Sequence, residues 1–349
     1  VFEELHTTNF PTCGDRRRGA DALFDLKVLV ASRSLLIICR PGHWAPRNLE
    51  YEATICTPLI FLMVSFASHF ASPPKQVSHA SHPLGSQAVY VGDHRVLLRT
   101  LWGHKMLVDS RDLSVAPHLI LDGHWEMWIS NVFRALVRPD MRIVEVGANF
   151  GYYTLLAADL VGPNGHVTSF EANPHMAKFV RDNLDINGLA SRATVLPVAA
   201  YSEASTLKFS VFRDHMASSS LYATDQSAAA VADTLTVREV EALPIDSIVK
   251  QGDRVDLLKI DAEGAELDVL AGARRVLAEN RDILLVVEHG PDLLAHVHDG
   301  KPSALFDHCA ALGMNCYAIR NDSQIELCDF DRLLQFGHCD AVFTRRQLG

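Results

Sequence analysis

From Val89 onward, apolar and polar positions follow the periods of short strands and amphipathic helices; before it they follow neither. "RVLLRTLWGHKMLVD" reads as two short strands around Trp102–Gly103. In "DGHWEMWISNVFRALVRPDM", Trp125, Trp128, Ile129, Val132, Phe133 and Leu136 recur at helical spacing until Pro139 stops them. A regular alternation follows. Strand Arg142–Val146 leads to a helix around Tyr152–Val161, strand "HVTSFEA" to a helix over His175–Asn187, and "ATVLPVAA" is a third strand. "STLKFSVF" and "TLTVREV" read as strands flanking a polar, Ser/Ala-rich insertion from Arg213 to Asp233. "VDLLKID" is a buried strand before a helix over Gly264–Asn280. "DILLVVE", a helix near Ser303–Leu312, "NCYAIR" and "CDAVFTR" close the chain. Strands alternating with helices predict an α/β fold, a mostly parallel sheet with helices on both faces.

The first eighty residues lack this order. Short apolar runs (Val28–Val30, Leu35–Ile38) show no sustained period, and Ser72–Gln87 has the Pro/Ser/Gly composition of a linker. Residues 1–87 are therefore expected to be a poorly structured extension, with a start at Met63 as one reading of it. Residues 88–140 are expected to pack a hairpin and helix on the core, and 141–349 to form the main domain. Ala53–Ser72 carries no Asp, Glu, Lys or Arg, but Pro58, His69 and several hydroxyl residues dilute it. No stable membrane span is expected from it, and its distance from the N-terminus argues against a signal peptide.

With 349 residues, 48% of them hydrophobic, the chain can bury a sizeable core. Its formal charge of −10 accumulates after residue 80. No basic stripe with interleaved aromatics is present, which disfavours a nucleic-acid partner. The seven cysteines form no C-x-x-C pair and no zinc-type cluster with the scattered histidines. They read as reduced thiols of a cytoplasmic protein, and no metal is assigned.

Candidate chemistry gathers where an open parallel sheet binds ligands, beyond the carboxyl ends of its strands. In "VEVGANFGYYT", Glu145 ends a strand, Gly147 makes the turn, Asn149 tolerates an unusual backbone and Gly151 permits close approach. A plain strand–turn–helix packing pair would look the same. Glu171, 24 residues past Gly147 at the end of the next strand, can accept both ribose hydroxyls of an adenosine. The dinucleotide G-x-G-x-x-G is absent, so little is built for a pyrophosphate. S-adenosylmethionine, a nucleoside without phosphates, fits better. In "LLKIDAEGAELDVLAGA", Asp261 and Glu263 could face the same crevice; as alternatives, Asp261 caps a helix and Glu263 and Glu266 meet its dipole.

"VEVGANFGYYT", "FEANP", "NLDINGL", "LPIDSIV" and "VDLLKIDAEGAELDVLAGA", in this order, resemble the FkbM family of S-adenosylmethionine-dependent methyltransferases, from about Asp122 to Arg345. The resemblance implies the class I methyltransferase fold, a Rossmann-like three-layer sandwich whose seven-stranded, mostly parallel sheet has an antiparallel last strand. It implies methylation of hydroxyl oxygens on sugars or natural products. It places Glu145, Gly147, Asn149 and Gly151 at the methionine end of the cofactor, with Tyr152 beside them, Glu171 at the ribose and Ala199 near the adenine. Two departures stand out: Ala172 where the family usually has proline, and Glu145 where aspartate is commoner.

An alcohol needs a base or a metal to become a nucleophile. The catalytic candidates are Asp261, Glu263 beside it, and His289 at the end of the fifth parallel strand. His215, inside the insertion, could reach in from a lid; for both histidines an inert surface or core role competes. Asp261, Glu263 and Glu288 could together hold a divalent cation. After the fourth strand the chain reads Asp261-Ala-Glu-Gly, without the N/D-P-P-Y of the nucleic-acid amino methyltransferases. The expected acceptor is a small molecule or glycan: a saccharide, glycolipid or natural product. The insertion, the Trp102 hairpin and the helix beginning near Glu126 are its expected specificity elements. An NAD-type oxidoreductase and a non-catalytic cofactor-binding protein are the competing classes.

Overall fold

The computed structural model describes residues 26–31, 34–39, 88–222 and 235–348, and the chain divides into two units, Val1–His82 and Pro83–Gly349. In the first unit, β1 (Leu26–Ala31) and β2 (Ser34–Cys39) pair antiparallel, Leu26 opposite Cys39. The two apolar runs, too short for a periodic signal, pair with each other in this hairpin. The proposed start at Met63 and the Ala53–Ser72 segment lie outside the described residues. No helix among the described residues is long and apolar enough to cross a membrane.

The second unit opens with an antiparallel meander, β3 (Val89–Gly92), β4 (Arg95–Arg99) and β5 (Lys105–Asp109). Two helices follow, α1 (Ala116–Asp122) and α2 (Met127–Leu136). The main sheet takes β6 (Arg142–Val146), β7 (His166–Phe170), β8 (Ala193–Leu196), β12 (Leu257–Ile260), β13 (Leu284–His289), β14 (Asn315–Ile319), β15 (Ile325–Cys328) and β16 (Cys339–Thr344). Their order is β15-β14-β16-β13-β12-β6-β7-β8. β16 runs antiparallel to both β13 and β14. Among the described residues the sheet thus has eight strands where seven were expected, because β15 folds straight back on β14 and adds an edge. Helices α3 (Tyr152–Leu160), α4 (Pro174–Ile186), α5 (Ile245–Ile248), α6 (Glu266–Ala271), α7 (Arg274–Glu279), α8 (Pro291–Val297), α9 (Ala304–Ala311) and α10 (Phe330–Gln335) complete the unit.

Two buried clusters cover the two faces of this sheet. One joins Ile143, Val167 and Leu257 to Phe133, Phe150 and Leu155. The other joins Val144, Leu258 and Leu285 to Val269, Val276 and Leu305. The alternation inside each strand makes this division, since successive side chains point to opposite faces. The meander belongs to the first cluster and is pinned by Asn183 of α4, whose amide donates to Leu107 O at 3.0 Å and whose Oδ1 accepts the Leu107 N–H at 2.6 Å.

Two expected elements are split. "ATVLPVAA" breaks at Pro197, which cannot donate to a ladder, and its second half, β9 (Ala199–Ala200), pairs with β11 (Leu235–Leu243) of a separate small sheet. There β11 also pairs with β10 (Ser205–Phe212). The helix expected over 264–280 is two short ones. At the break, Gly272 lies so close to Tyr201 that a Cβ would sit 2.0 Å from its carbonyl oxygen.

Candidate functional site

The tips of β6, β7, β12 and β13 open onto a solvent-connected cleft. The turn after β6 forms one wall. Gly147 adopts φ 82°, and a Cβ there would lie 1.8 Å from the Asp261 carbonyl oxygen, so a side chain would force β6 and β12 apart. Asn149 is left-handed at φ 50°; its Oδ1 accepts the Phe150 N–H at 2.7 Å, the local bond that makes this conformation accessible to asparagine. A Cβ on Gly151 would press on Val180 of α4 at 3.0 Å. Gly147 and Asn149 line the cleft, while Gly151 serves the packing of α3 on α4.

Glu171 is 7% exposed and lies across the turn. Its Oε2 accepts the Asn149 N–H at 2.7 Å and its Oε1 the Asn173 N–H at 2.8 Å. Burial outweighs these two bonds and lifts its carboxyl to about 7. Beyond it Val198, Ala199, Ala200, Phe209 and Leu221 give an apolar floor. Tyr152 lines the cleft, but its hydroxyl is already engaged by Trp102 Nε1 at 2.7 Å and Ser130 Oγ at 3.0 Å.

Two sequence candidates sit elsewhere. Glu145 does not line the cleft. It is 3% exposed, and its Oε2 accepts from Thr154 Oγ1 at 2.5 Å and Ser169 Oγ at 2.9 Å. Alternation along β6 turns it under α3, where it bonds α3 to β7. His289 follows Glu288 in β13 and therefore points to the opposite face. It is fully buried, its ring nitrogens have no partner among the described residues, and it meets Phe330 edge-on. Burial pushes its imidazole down to about 4. Neither residue is placed to touch a ligand in the cleft. His215 is also absent from the lining, although Met216, Ala217, Ser219 and Leu221 of the same insertion contribute to it.

The lining beside the tips of β12 and β13 is acidic. Asp261, Glu263 and Glu288 each bring a carboxylate oxygen within 4.8 Å of the others. Asp261 accepts from Lys259 Nζ at 2.9 Å, and Glu288 meets His338 Nε2 at 2.6 Å. Burial and then Asp261 raise Glu288 to about 7, while its bond to Glu288 lifts His338 to about 9. Burial and the neighbouring Glu288 and Asp261 also raise Glu263, which is held left-handed at φ 48°. Glu266 instead turns inward and accepts the Gly264 N–H at 3.0 Å.

Sequence reasoning left three further residues at or behind this lining out of its candidate catalytic set. Glu126, left-handed at φ 41° before α2, lines the cleft and makes no hydrogen bond through its carboxylate among the described residues. Burial, then Asp340 and Asp261, push it up to about 8. Tyr153 also lines the cleft; its hydroxyl is buried without a partner among the described residues, and Lys259 Nζ lies 4.7 Å from its ring centre. Lys259 is 2% exposed. Burial alone would depress its ammonium, but Asp261 and Asp340 hold it above the ordinary range. The readable signal was a lysine inside the apolar run "VDLLKI", because a buried charge demands partners.

Residues 145–300 match the model of the methyltransferase FkbM domain. The chain is 39% identical over 67 residues to a protein-L-isoaspartate O-methyltransferase of Hyperthermus butylicus, a match covering 17% of this chain and 28% of that protein. It is 43% identical over 49 residues to another from Methanothrix thermoacetophila, covering 14% and 23%. The chain thus spans about a quarter of the length of the curated relatives it matches. Among solved structures it is similar to a putative O-methyltransferase from Klebsiella pneumoniae (16% identity, 62% of this chain and 78% of that one, TM-score 0.35). It is also similar to the O-methyltransferase TomG from Streptomyces achromogenes (13% identity, 62% and 78%, TM-score 0.37). Residues 145–300, somewhat under half of the chain, thus carry a match to the FkbM domain of S-adenosylmethionine-dependent methyltransferases.

Proposed function

We propose that this chain transfers the methyl group of S-adenosylmethionine to a hydroxyl oxygen of a small polar acceptor: a saccharide, a glycolipid or a natural product. One observation carries the reading. The cleft is lined by five carboxylates, Glu126, Glu171, Asp261, Glu263 and Glu288, and by no lysine or arginine among the described residues. Such a field favours a sulfonium cation and opposes the pyrophosphate of a dinucleotide or the backbone of a nucleic acid. The short matches to protein-L-isoaspartate O-methyltransferases agree with oxygen as the receiving atom. The cytoplasmic setting of this reading rests on the cysteine pattern, free thiols at Cys309, Cys316, Cys328 and Cys339.

The residues fit the cofactor. Glu171, held by two backbone N–H groups, keeps lone pairs for the ribose hydroxyls. Ala199 and its neighbours would hold the adenine, and the Gly147–Asn149 turn would hold the methionine end. When bound, S-adenosylmethionine supplies an electrophilic methyl group on sulfur. The protein's part is to hold the acceptor oxygen in line and to receive its proton. Asp261 and Glu126, both in the cleft lining, are the groups this reading assigns to that step. The Lys259 ammonium keeps Asp261 company, which suits Asp261 to orienting a hydroxyl. Trp125, Tyr152 and Tyr153 offer ring faces and edges to a sugar-like acceptor.

Calorimetry with S-adenosylmethionine and with NAD tests the cofactor, and labelled methyl transfer into a panel of glycosides, glycolipids and polyketide alcohols tests the reaction. Binding of the first ligand alone, followed by label on an oxygen, is the expected result. NAD binding in its place would overturn the reading, and cofactor binding with label on no acceptor would favour a non-catalytic protein.

A further inference from the structure

A pair of thiols at the far edge of the sheet takes no part in the cleft. Cys316 of β14 and Cys328 of β15 are direct partners in an antiparallel ladder, and their sulfurs lie 3.7 Å apart. Residues opposed in this way project to the same face with Cα atoms about 4.5 or 5.5 Å apart, and both separations fall within the span of a disulfide. No backbone movement is needed to close the bond; a change of side-chain rotamer brings the sulfurs together. The pair is asymmetric. Cys316 is 3% exposed, whereas Cys328 is half-buried on the edge strand and open to a small oxidant.

We propose that Cys316 and Cys328 form a two-electron redox site, converted by a hydroperoxide into a cross-strand disulfide and restored by a dithiol. The Cys328 thiolate attacks the peroxide oxygen, the O–O bond breaks, and the departing hydroxide takes up a proton to leave as water, or as an alcohol from an organic peroxide. The Cys328 sulfur is now a sulfenic acid. Cys316 attacks that sulfur, the S–S bond forms, and hydroxide leaves with the Cys316 proton as a water. Two thiols have lost two electrons and the peroxide has gained them. The electrostatics agree with this division of labour. The hydrogen bond with Cys316 draws the Cys328 thiol down to about 7, and the same contact, followed by burial, raises Cys316. Cys339 is also half-buried, but burial and the nearby Asp340 push it up to about 12, so exposure alone does not make a thiol reactive here. The inference is independent of methyl transfer.

The test uses the full reduced chain and hydrogen peroxide, followed by digestion without reductant and mass spectrometry. The expected product is one peptide pair joined through Cys316 and Cys328, lighter by two hydrogens and split by dithiothreitol. C328S abolishes it, and C316S leaves a sulfenic acid on Cys328 that dimedone traps. Iodoacetamide should label Cys328 at least about tenfold faster than Cys339 at neutral pH. Absence of the joined peptide in the wild type would overturn the proposal. So would pairing of Cys328 with Cys13, Cys39, Cys56, Cys309 or Cys339, or equal labelling of Cys328 and Cys339.

Discussion

Replacing Glu171 with glutamine removes one charge at nearly constant shape, which makes it the sharpest probe of the ribose assignment. The carboxylate spends one lone pair of each oxygen on the Asn149 and Asn173 N–H groups, at 2.7 and 2.8 Å. The remaining lone pairs face the cleft. A hydrogen bond to a charged group contributes about 1.5–3 kcal/mol, and each 1.4 kcal/mol is tenfold in affinity. Loss of one such bond therefore weakens S-adenosylmethionine by roughly 10- to 150-fold. The amide also turns an N–H toward one of two backbone donors. That cost, about 1–3 kcal/mol for an unsatisfied donor, is present with and without ligand and shows in the melting temperature rather than in Kd. Titration calorimetry separates the two effects. It also reads the proton: Glu171 stands at about 7 without ligand and must ionise to accept two hydroxyls. Wild-type affinity then rises with pH through about 7, with proton release below it, and the variant loses this share of the dependence. An affinity within twofold of wild type, or an unchanged pH profile, would refute the ribose assignment.

The cofactor-free chain should lose thermal stability as pH rises from about 5 to 9, because Asp340, Glu171, Glu288 and Glu126 are raised to about 6, 7, 7 and 8 and His338 to about 9. Their stabilising contribution is complete below the unfolded-state values and disappears as each folded-state value is passed; a melting temperature that climbs over this range would contradict the assignment. Asp261→Asn takes the hydrogen-bonded carboxylate from the buried Lys259 ammonium, leaving it Asp340, and should cost about 3 kcal/mol in denaturant unfolding. Adding Lys259→Met should restore stability but not turnover, and full turnover in the double variant would remove Asp261 from the reaction. Methyl transfer should persist in EDTA, since Lys259 and His338 already neutralise two members of the Asp261–Glu263–Glu288 set. Loss of activity that magnesium restores would instead place a cation there.

The periodicity of the chain carried the parallel strands and the helices α3 and α4, because their burial follows directly from apolar spacing. The short pieces escaped: α1, α5, α8 and α10 run four to seven residues, too few for a period to emerge. Pro197 was visible, but its consequence was not, since the strand it ends hands over to a partner, β11, far along the chain. At the site, the turn and Glu171 were legible because a fixed spacing links them to two adjacent strand tips. Glu145 and His289 misled for one shared reason. A strand-end position fixes depth along the sheet but not face, and a one-residue step moves a side chain from cleft to core.

That parity rule also explains the division of labour across the cleft. Within the family-matched segment, Glu171, Asp261 and Glu288 are carried by the tips of β7, β12 and β13 of one sheet, so sheet spacing sets their separation. Glu126, Trp125 and Val115 come from outside residues 145–300, and Met216 and Leu221 from the insertion between β10 and β11. These two outer pieces are joined to each other: Asp112 Oδ1 accepts the Met216 N–H at 2.9 Å, and its Oδ2 the N–H groups of Val115 and Ala116 at 2.8 Å. One buried aspartate therefore couples the segment that carries Glu126 to the first part of the insertion, whose Met216 and Leu221 line the cleft. Under the proposed function, acceptor selectivity would be a property of this coupled pair of segments, so Asp112→Ala should shift acceptor preference while leaving S-adenosylmethionine affinity unchanged in calorimetry.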